Sequence, residues 1–457
     1  MDSIVTALAN IVGAEHVSAA KSIVHLHSGD QSSHQRVLPD AVVFPETTAE
    51  VSRIAKYAHD NRIAITGWGA GSSLEGNSIP LNGGIVIDFG RMNRILKLHI
   101  NDFQVTVQPG IFYRDMNKTL ARDGLFFAPD PGANASIGGM IANNAAGTRT
   151  VRYGATRENV LALEVVLANG EIIRTGSRSI KQSAGYDLTH LFTGSEGTLG
   201  LITEATIRLF PLPEHFSAVV ASFEDTPSAA DAVFGIIGSG ITPAACELLD
   251  SEAIRYMNSR DSINLPEKPT LIMEFHGSSQ VVIEAELNLV REICDECGCT
   301  YFEAGVGRDE RDRLWEGRHA LGEILFSYYP DSTYLITDVS VPISEYPVLA
   351  AYTNGLYDEL DVKGTLFGHA GDGNLHTVNF ASKADPTKQQ LLHDFNDRVV
   401  QKAIELGGTC TGEHGVGIGK QKYMVYEHGE GAIGVMKQIK MMFDPHNILN
   451  PGKVVSL

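Results

Sequence analysis

The sequence predicts an α+β fold in two domains, on three observations. At 457 residues the chain is too long for one ordinary hydrophobic core. From Pro39 onward, short β-branched runs alternate with stretches of helical periodicity. Beyond Pro213 the pattern changes to strands separated by longer amphipathic helices, which suits an antiparallel sheet with flanking helices. The expected division is an N-terminal helical segment, 1–35, a first domain, 36–213, and a second domain, 214–457.

In the first domain Ala41-Val42-Val43-Phe44 reads as a strand, and Thr48 to Asn61, with apolar residues at helical spacing, reads as a helix. Ile63-Ala64-Ile65-Thr66 reads as the next strand. Strands are also expected at Gly84 to Phe89, at Val105 to Gln108, and at Leu161 to Leu167, where Asn169-Gly170 makes a hairpin turn into Glu171 to Arg174. Pro211-Leu212-Pro213 interrupts regular structure and closes the domain. In the second domain, Val219 to Phe223 and Leu271 to Phe275 are candidate strands, and Gln280 to Glu296 and Pro386 to Leu406 are amphipathic helices.

The formal charge of −19 argues against a nucleic-acid partner, which needs a basic face to displace counterions. Met1 to Ala20 holds neither a charged n-region nor a continuous apolar run, so no secretory signal is expected. The uncharged stretch Pro131 to Thr148 carries Asn134, Asn143 and Asn144, whose amides hydrocarbon would leave unsatisfied, so no membrane span is expected either. Five cysteines do not make a disulfide scaffold. Cys294, Cys297 and Cys299 lack a fourth thiolate nearby for an iron–sulfur cluster and read as reduced thiols where a helix end enters a strand. A soluble, cytoplasmic protein is the expectation.

Gly67 to Asn77 follows a strand directly, and its glycines and hydroxyls suit a diphosphate wrapped by backbone N–H groups. Leu74 stands where the third glycine of G-x-G-x-x-G would fall, which disfavours a nicotinamide Rossmann site. The run Asp130 to Gly147 is small enough for the main chain to pack flat against a large planar ligand, and its Ala/Gly content also permits a tightly packed helix. A third such segment in the same domain, Gly194 to Thr203, favours the ligand.

Chemistry of another kind gathers near the C-terminus, in Gly368-His369-Ala370-Gly371-Asp372-Gly373-Asn374-Leu375-His376 and in Gly412-Glu413-His414-Gly415. Two histidines with six residues between them and a distant carboxylate, among glycines that let the backbone approach a small ligand, suit a divalent transition metal with open positions. A structural zinc would be closed by four protein ligands. The arrangement therefore reads as catalytic.

The three glycine-rich segments together resemble the FAD-binding domain of the vanillyl-alcohol oxidase and p-cresol methylhydroxylase superfamily, and the likeness covers nearly the whole chain. It implies a two-subdomain FAD-binding domain over 36–213 and a substrate (cap) and metal domain over 214–457. By this resemblance Trp68, Gly69, Ala70, Gly71, Ser72, Ser73, Gly76 and Asn77 hold the diphosphate. Pro131, Gly132, Ala135, Ser136, Gly138, Gly139, Asn143, Ala145, Gly147 and Tyr153, with Glu196, Gly197, Gly200 and Ile202, line the rest of the FAD. Asn450, in the closing Asn447 to Lys453, returns to the flavin. Members with covalent flavin place His or Cys in the first loop or near Tyr153. Ser72 and Ser73 stand in that loop here, and neither His nor Cys lies around Tyr153, which implies non-covalent FAD.

The C-terminal half resembles the FAD-linked oxidase domain of the D-2-hydroxyacid dehydrogenase branch, which includes D-lactate dehydrogenases, glycolate oxidase flavin subunits and D-2-hydroxyglutarate dehydrogenases. By this resemblance His369, His376 and Glu413 bind the metal, Zn²⁺ or Mn²⁺, and His414 is the catalytic base. Arg318, in Trp315-Glu316-Gly317-Arg318-His319, holds the substrate carboxylate. The implied reaction is oxidation of a 2-hydroxy acid by metal-assisted deprotonation of its hydroxyl and hydride transfer from C2 to flavin N5. Gly322 stands where the hydroxyglutarate enzymes tend to carry a hydroxyl, and Ser332 to Pro342 resembles the lactate branch more closely. The expected activity is D-lactate to pyruvate, with a glycolate oxidase flavin subunit or a D-2-hydroxyglutarate dehydrogenase as alternatives. The implied electron acceptor is an electron-transfer flavoprotein, a cytochrome or a quinone. A homodimer and a peripheral association with a membrane are compatible with the resemblance.

Overall fold

Thr47 begins the helix Thr48–Asn61 with a capping box: its hydroxyl accepts from the Glu50 N–H while the Glu50 carboxylate accepts from its own N–H. Val51, Ile54, Ala55 and Ala58 bury one face, and each Val or Ile so buried contributes about 1.5–3 kcal/mol. Ile63 still donates to Ala58 in closing this helix. The strand expected from Ile63 accordingly starts two residues later, as Ile65–Trp68.

The computed structural model describes residues 2–259, 263–306 and 308–457, which fall into two units. The first comprises residues 1–146, 154–212 and 413–457. Its four-stranded sheet runs Val17–Ser18, Ala41–Val43, Ile85–Asp88, Ile65–Trp68, with the last three parallel. The N-terminal segment thus adds a short strand to its helices, Asp2–Val12 and Lys21–Leu26. An antiparallel five-stranded sheet runs Ile95–His99, Gln104–Val107, Leu201–Arg208, Val160–Val166, Ile172–Gly176. The hairpin expected at Asn169-Gly170 is there, with Gly170 at φ 86°. The small-residue run Asp130 to Gly147 contains a helix, Ile137–Asn143, capped by Ser136. The closing segment docks on the first sheet, where Ile65 donates to Ile448 and Asn450 donates to Ile65, both at 2.7 Å.

The second unit comprises residues 147–153 and 213–412. Its seven-stranded sheet is antiparallel throughout, in the order Cys299–Val306, His215–Phe223, Thr270–Gly277, Ala245–Leu249, Lys363–His369, Asn374–Ser382, Ser332–Ser340. Both strands read from the sequence lie in it, and the helices Gln280–Glu296 and Pro386–Glu405 stand where expected. The α+β class holds. None of the five cysteines is in a disulfide, and among the described residues no helix is long and apolar enough to cross a membrane.

Candidate functional site

In the first unit the glycine-rich segments meet through their amide side chains. Asn77 Nδ2 donates to Asn143 Oδ1 at 3.1 Å and to Glu196 Oε2 at 2.7 Å. Asn450 Nδ2 donates to the carbonyls of Asn77 at 2.9 Å and Glu196 at 2.7 Å. Loop, helix, third segment and closing segment are therefore joined by four of the residues expected near the flavin. Trp68 is buried at the end of its strand, and a Cβ on Gly69 would come within 2.3 Å of Ser136 Oγ, so the loop lies against the start of the helix. Gly138 packs on Pro109 and Gly200 on Val165 with no room for a side chain. The Pro131 carbonyl accepts from Tyr113 and that of Gly132 from Arg114, while the Ala145 carbonyl accepts from Thr156.

The same network reaches the Glu413-His414-Gly415 turn. Asn143 Nδ2 donates to the carbonyl of His414 at 2.8 Å, and Glu196 accepts the N–H groups of Val416 at 2.6 Å and Gly417 at 2.9 Å. Glu196 is fully buried, and desolvation pushes its carboxyl up against those hydrogen bonds. Gly415, at φ 80°, sits where a Cβ would come within 2.9 Å of atoms from Asn77, Asn143 and Glu196.

In the second unit the hairpin joining Lys363–His369 to Asn374–Ser382 carries the two metal-candidate histidines. It turns at Gly373, φ 80°, whose Cβ would lie 2.1 Å from the Val341 carbonyl oxygen, and at Gly368 a Cβ would lie 2.3 Å from that of Asn374. These two glycines admit neighbouring backbone at the turn. The His369 and His376 rings stand nearly perpendicular, 5.2 Å apart between centroids, and both residues are buried. His369 Nδ1 donates to Glu247 Oε1 at 2.5 Å and Arg318 Nε donates to Glu247 Oε2 at 2.7 Å. Burial opposes ionisation of Glu247, but the charges and hydrogen bonds of Arg318 and His369 outweigh it and bring the carboxyl down to about 2. Arg318 also lies over the Phe367 ring at 4.6 Å. Asp338, beside His376 at 3.6 Å, accepts from Asn374 and Thr411.

Gly147 and Tyr153, expected near the flavin, belong to this second unit, whereas Glu413 and His414 belong to the first. The Tyr153 hydroxyl meets His276 Nδ1 at 2.7 Å, and His276 Nε2 meets Glu274 at 2.5 Å. Arg311 forks onto both oxygens of Glu274 at 2.9 Å. Sequence reasoning passed over Glu247, Glu274 and Asp338. The signal was available: each is the one acid of a strand that is otherwise apolar or hydroxylic, save for His276 beside Glu274, and a buried carboxylate requires a partner.

The comparisons agree with this anatomy. The chain matches the FAD linked oxidases, C-terminal domain, over residues 212–454, and an FAD binding domain over residues 39–176. It is 41% identical to a probable mitochondrial D-lactate dehydrogenase of Danio rerio, over 100% of this chain and 92% of that protein. It is 38% identical to the glycolate oxidase subunit GlcD of Bacillus subtilis (strain 168), over 98% and 95%. A D-lactate dehydrogenase [cytochrome] of Saccharomyces cerevisiae, named as mitochondrial, is 37% identical over 99% and 80%. The fold is shared with 4-ethylphenol oxidase from Gulosibacter chungangensis, at TM-score 0.80 and 19% identity over 99% and 97% of the two chains. It is shared also with p-cresol methylhydroxylase, at TM-score 0.79 and 17% identity over 100% and 97%. With an FAD binding domain matched at one end and the C-terminal domain of FAD linked oxidases matched over more than half of the chain, the chain belongs to the FAD linked oxidases, on a fold shared with 4-ethylphenol oxidase and p-cresol methylhydroxylase.

Proposed function

We propose that this FAD-linked oxidase takes a D-2-hydroxy acid, D-lactate first, to its 2-oxo acid, pyruvate in that case. The observation that carries this reading is the clamp. Arg318 is fixed by Glu247 and Phe367 as a permanently charged fork for one carboxylate. Gly322 itself offers no side chain to a second carboxylate, and a Cβ there would meet no atom within 4 Å. The names of the Danio rerio and Saccharomyces cerevisiae relatives support the same substrate.

Two imidazoles at ligand spacing, one already oriented through Nδ1 by a carboxylate, are a donor set that Zn²⁺ or Mn²⁺ accepts, with Glu413 as third ligand. FAD supplies the hydride acceptor and the bound cation a Lewis acid for the hydroxyl oxygen. His414 takes the hydroxyl proton, its imidazole being the group whose ordinary pKa lies nearest neutrality. Arg318 holds the carboxylate and so fixes which face of C2 is presented. The FAD is held non-covalently by the loop from Trp68 to Asn77 and by the segments joined to it. Acid precipitation should leave it in the supernatant, and flavin in the pellet would overturn that point.

A second reading, a flavin subunit of a glycolate oxidase complex, is favoured by the Bacillus subtilis relative. Anaerobic spectra with D-lactate, L-lactate, glycolate and D-2-hydroxyglutarate, followed by a dye-acceptor assay, separate the two. Fast bleaching by D-lactate with turnover of the isolated chain is expected, and bleaching by glycolate alone would favour the subunit. The acceptor in the cell is, on this reading, an electron-transfer flavoprotein, a cytochrome or a quinone. We place the chain in the cytoplasm on its sequence; two relatives are named as mitochondrial, so cell fractionation is the deciding measurement.

A further inference from the structure

The register of the seven-stranded sheet sets Glu247 directly opposite His369, and Asp338 directly opposite His376. Opposed residues of an antiparallel pair have Cβ atoms about 4.5–5.5 Å apart. Contact between carboxylate and imidazole is therefore written into the backbone pairing of Ala245–Leu249 with Lys363–His369. Glu247 differs from Asp338 in what its second oxygen does. Oε1 accepts from His369 Nδ1 at 2.5 Å, while Oε2 accepts from Arg318 Nε at 2.7 Å, on a helix remote in sequence. The Glu247 side chain has no exposed surface, so both bonds are made away from water, where they hold geometry most firmly.

Two consequences follow for the neighbours. With Nδ1 engaged, His369 offers Nε2 to a cation. With Nε engaged and the guanidinium lying over Phe367, Arg318 offers a carboxylate its terminal Nη1 and Nη2 amino groups. We propose that Glu247 is a positioning residue that locks the cation ligand and the carboxylate clamp to each other, an inference resting on the reading of His369 and Arg318 given above. One rigid carboxylate then ties the position of the cation ligand to that of the carboxylate clamp.

The test uses the full-length FAD-loaded protein stripped with a chelator and titrated with Zn²⁺ or Mn²⁺ by calorimetry. Glu247→Gln keeps the shape but replaces one acceptor oxygen with an amide. It should weaken cation affinity by about 10–100-fold and raise KM for D-lactate about tenfold, with the FAD dissociation constant unchanged. A merely structural carboxylate would lower thermal stability and leave cation affinity and KM where they were, and that result overturns the proposal. A raised KM with unchanged cation affinity overturns it too. His369→Ala is the control for the underlying reading: if that variant binds the cation as tightly as wild type, His369 is no ligand and the proposal falls with it. Should Glu247→Gln fail to fold, nitrogen NMR of histidine-labelled, cation-free wild type decides. A His369 tautomer protonated on Nδ1 upholds the proposal, and one protonated on Nε2 overturns it.

Discussion

The side-chain amide of Asn143 donates to the carbonyl oxygen of His414 at 2.8 Å, joining residues 271 positions apart in the chain. The proposed base is thus held at its main chain by the last residue of the helix Ile137–Asn143, not only by its own loop. Asn143→Ala should leave that carbonyl with the longer contact from Asn77, at 3.4 Å. We expect a stability loss of about 0.5–1.5 kcal/mol from the lost part-buried hydrogen bond, together with slower flavin reduction by D-lactate in stopped flow. Wild-type reduction in a destabilised Asn143→Ala protein would show that the tether does not serve the base.

Chelation should stop turnover while the flavin stays bound, and Zn²⁺ or Mn²⁺ should restore it. His369→Ala and His376→Ala should lose the cation. His414→Ala should behave differently, keeping its cation while kcat falls by about 10²–10⁴-fold, the range for loss of a general base. Elemental analysis separates the two classes, and loss of the cation from His414→Ala would make that residue a ligand instead.

Substrate choice should follow the clamp. One guanidinium and one cation satisfy a single carboxylate, and with Gly322 beside open space a distal carboxylate would go without a fixed partner. The kcat/KM for D-lactate should exceed that for D-2-hydroxyglutarate, and Arg318→Lys should weaken both because an ammonium cannot reproduce the planar fork. The reverse order of substrates would mean that another residue supplies a second clamp.

Lys453 gives a pH dependence that owes nothing to catalysis. Its Nζ donates to the Ile79 carbonyl at 2.6 Å, and desolvation, opposed by Glu196 and Asp30, brings its pKa down from 10.5 to about 8. Between about 8 and 10.5 the unfolded chain therefore holds a proton that the folded chain has lost, and stability rises with pH through that window. Lys453→Met lacks the proton in both states. Denaturant melts should show wild type gaining on the variant by up to about 1.4 kcal/mol per pH unit above pH 8. A stability difference independent of pH would contradict this.

Local signals were legible wherever one segment decides its own structure. The helix Thr48–Asn61 carries its cap and its apolar stripe in consecutive residues, and Asn169-Gly170 carries its turn. The candidate ligand histidines stood out because glycine and histidine cluster in a few positions. What escaped was information held in pairing register. Nothing near Glu247 in the chain names His369 or Arg318 as its partners, since the first is set by the neighbouring strand and the second by a helix packed afterwards. The amide side chains of Asn77, Asn143 and Asn450 read from the sequence as contacts for the flavin, and the bonds they make within the protein tie segment to segment. Sequence can announce an amide without saying whom it will satisfy.

The docking of the closing segment on Ile65 has a bearing on how the protein is made. The parallel sheet beside Ile65 takes its last partner from residues that leave the ribosome almost a whole chain later. The second unit, 213–412 apart from one short excursion, is synthesised as a nearly uninterrupted block in the meantime and needs no such wait. An emerging chain would then pass through a stage in which the later half is folded and the earlier half is still missing its seam. During that stage the edge strand Ile65–Trp68 is exposed to chaperones, or to a neighbouring chain.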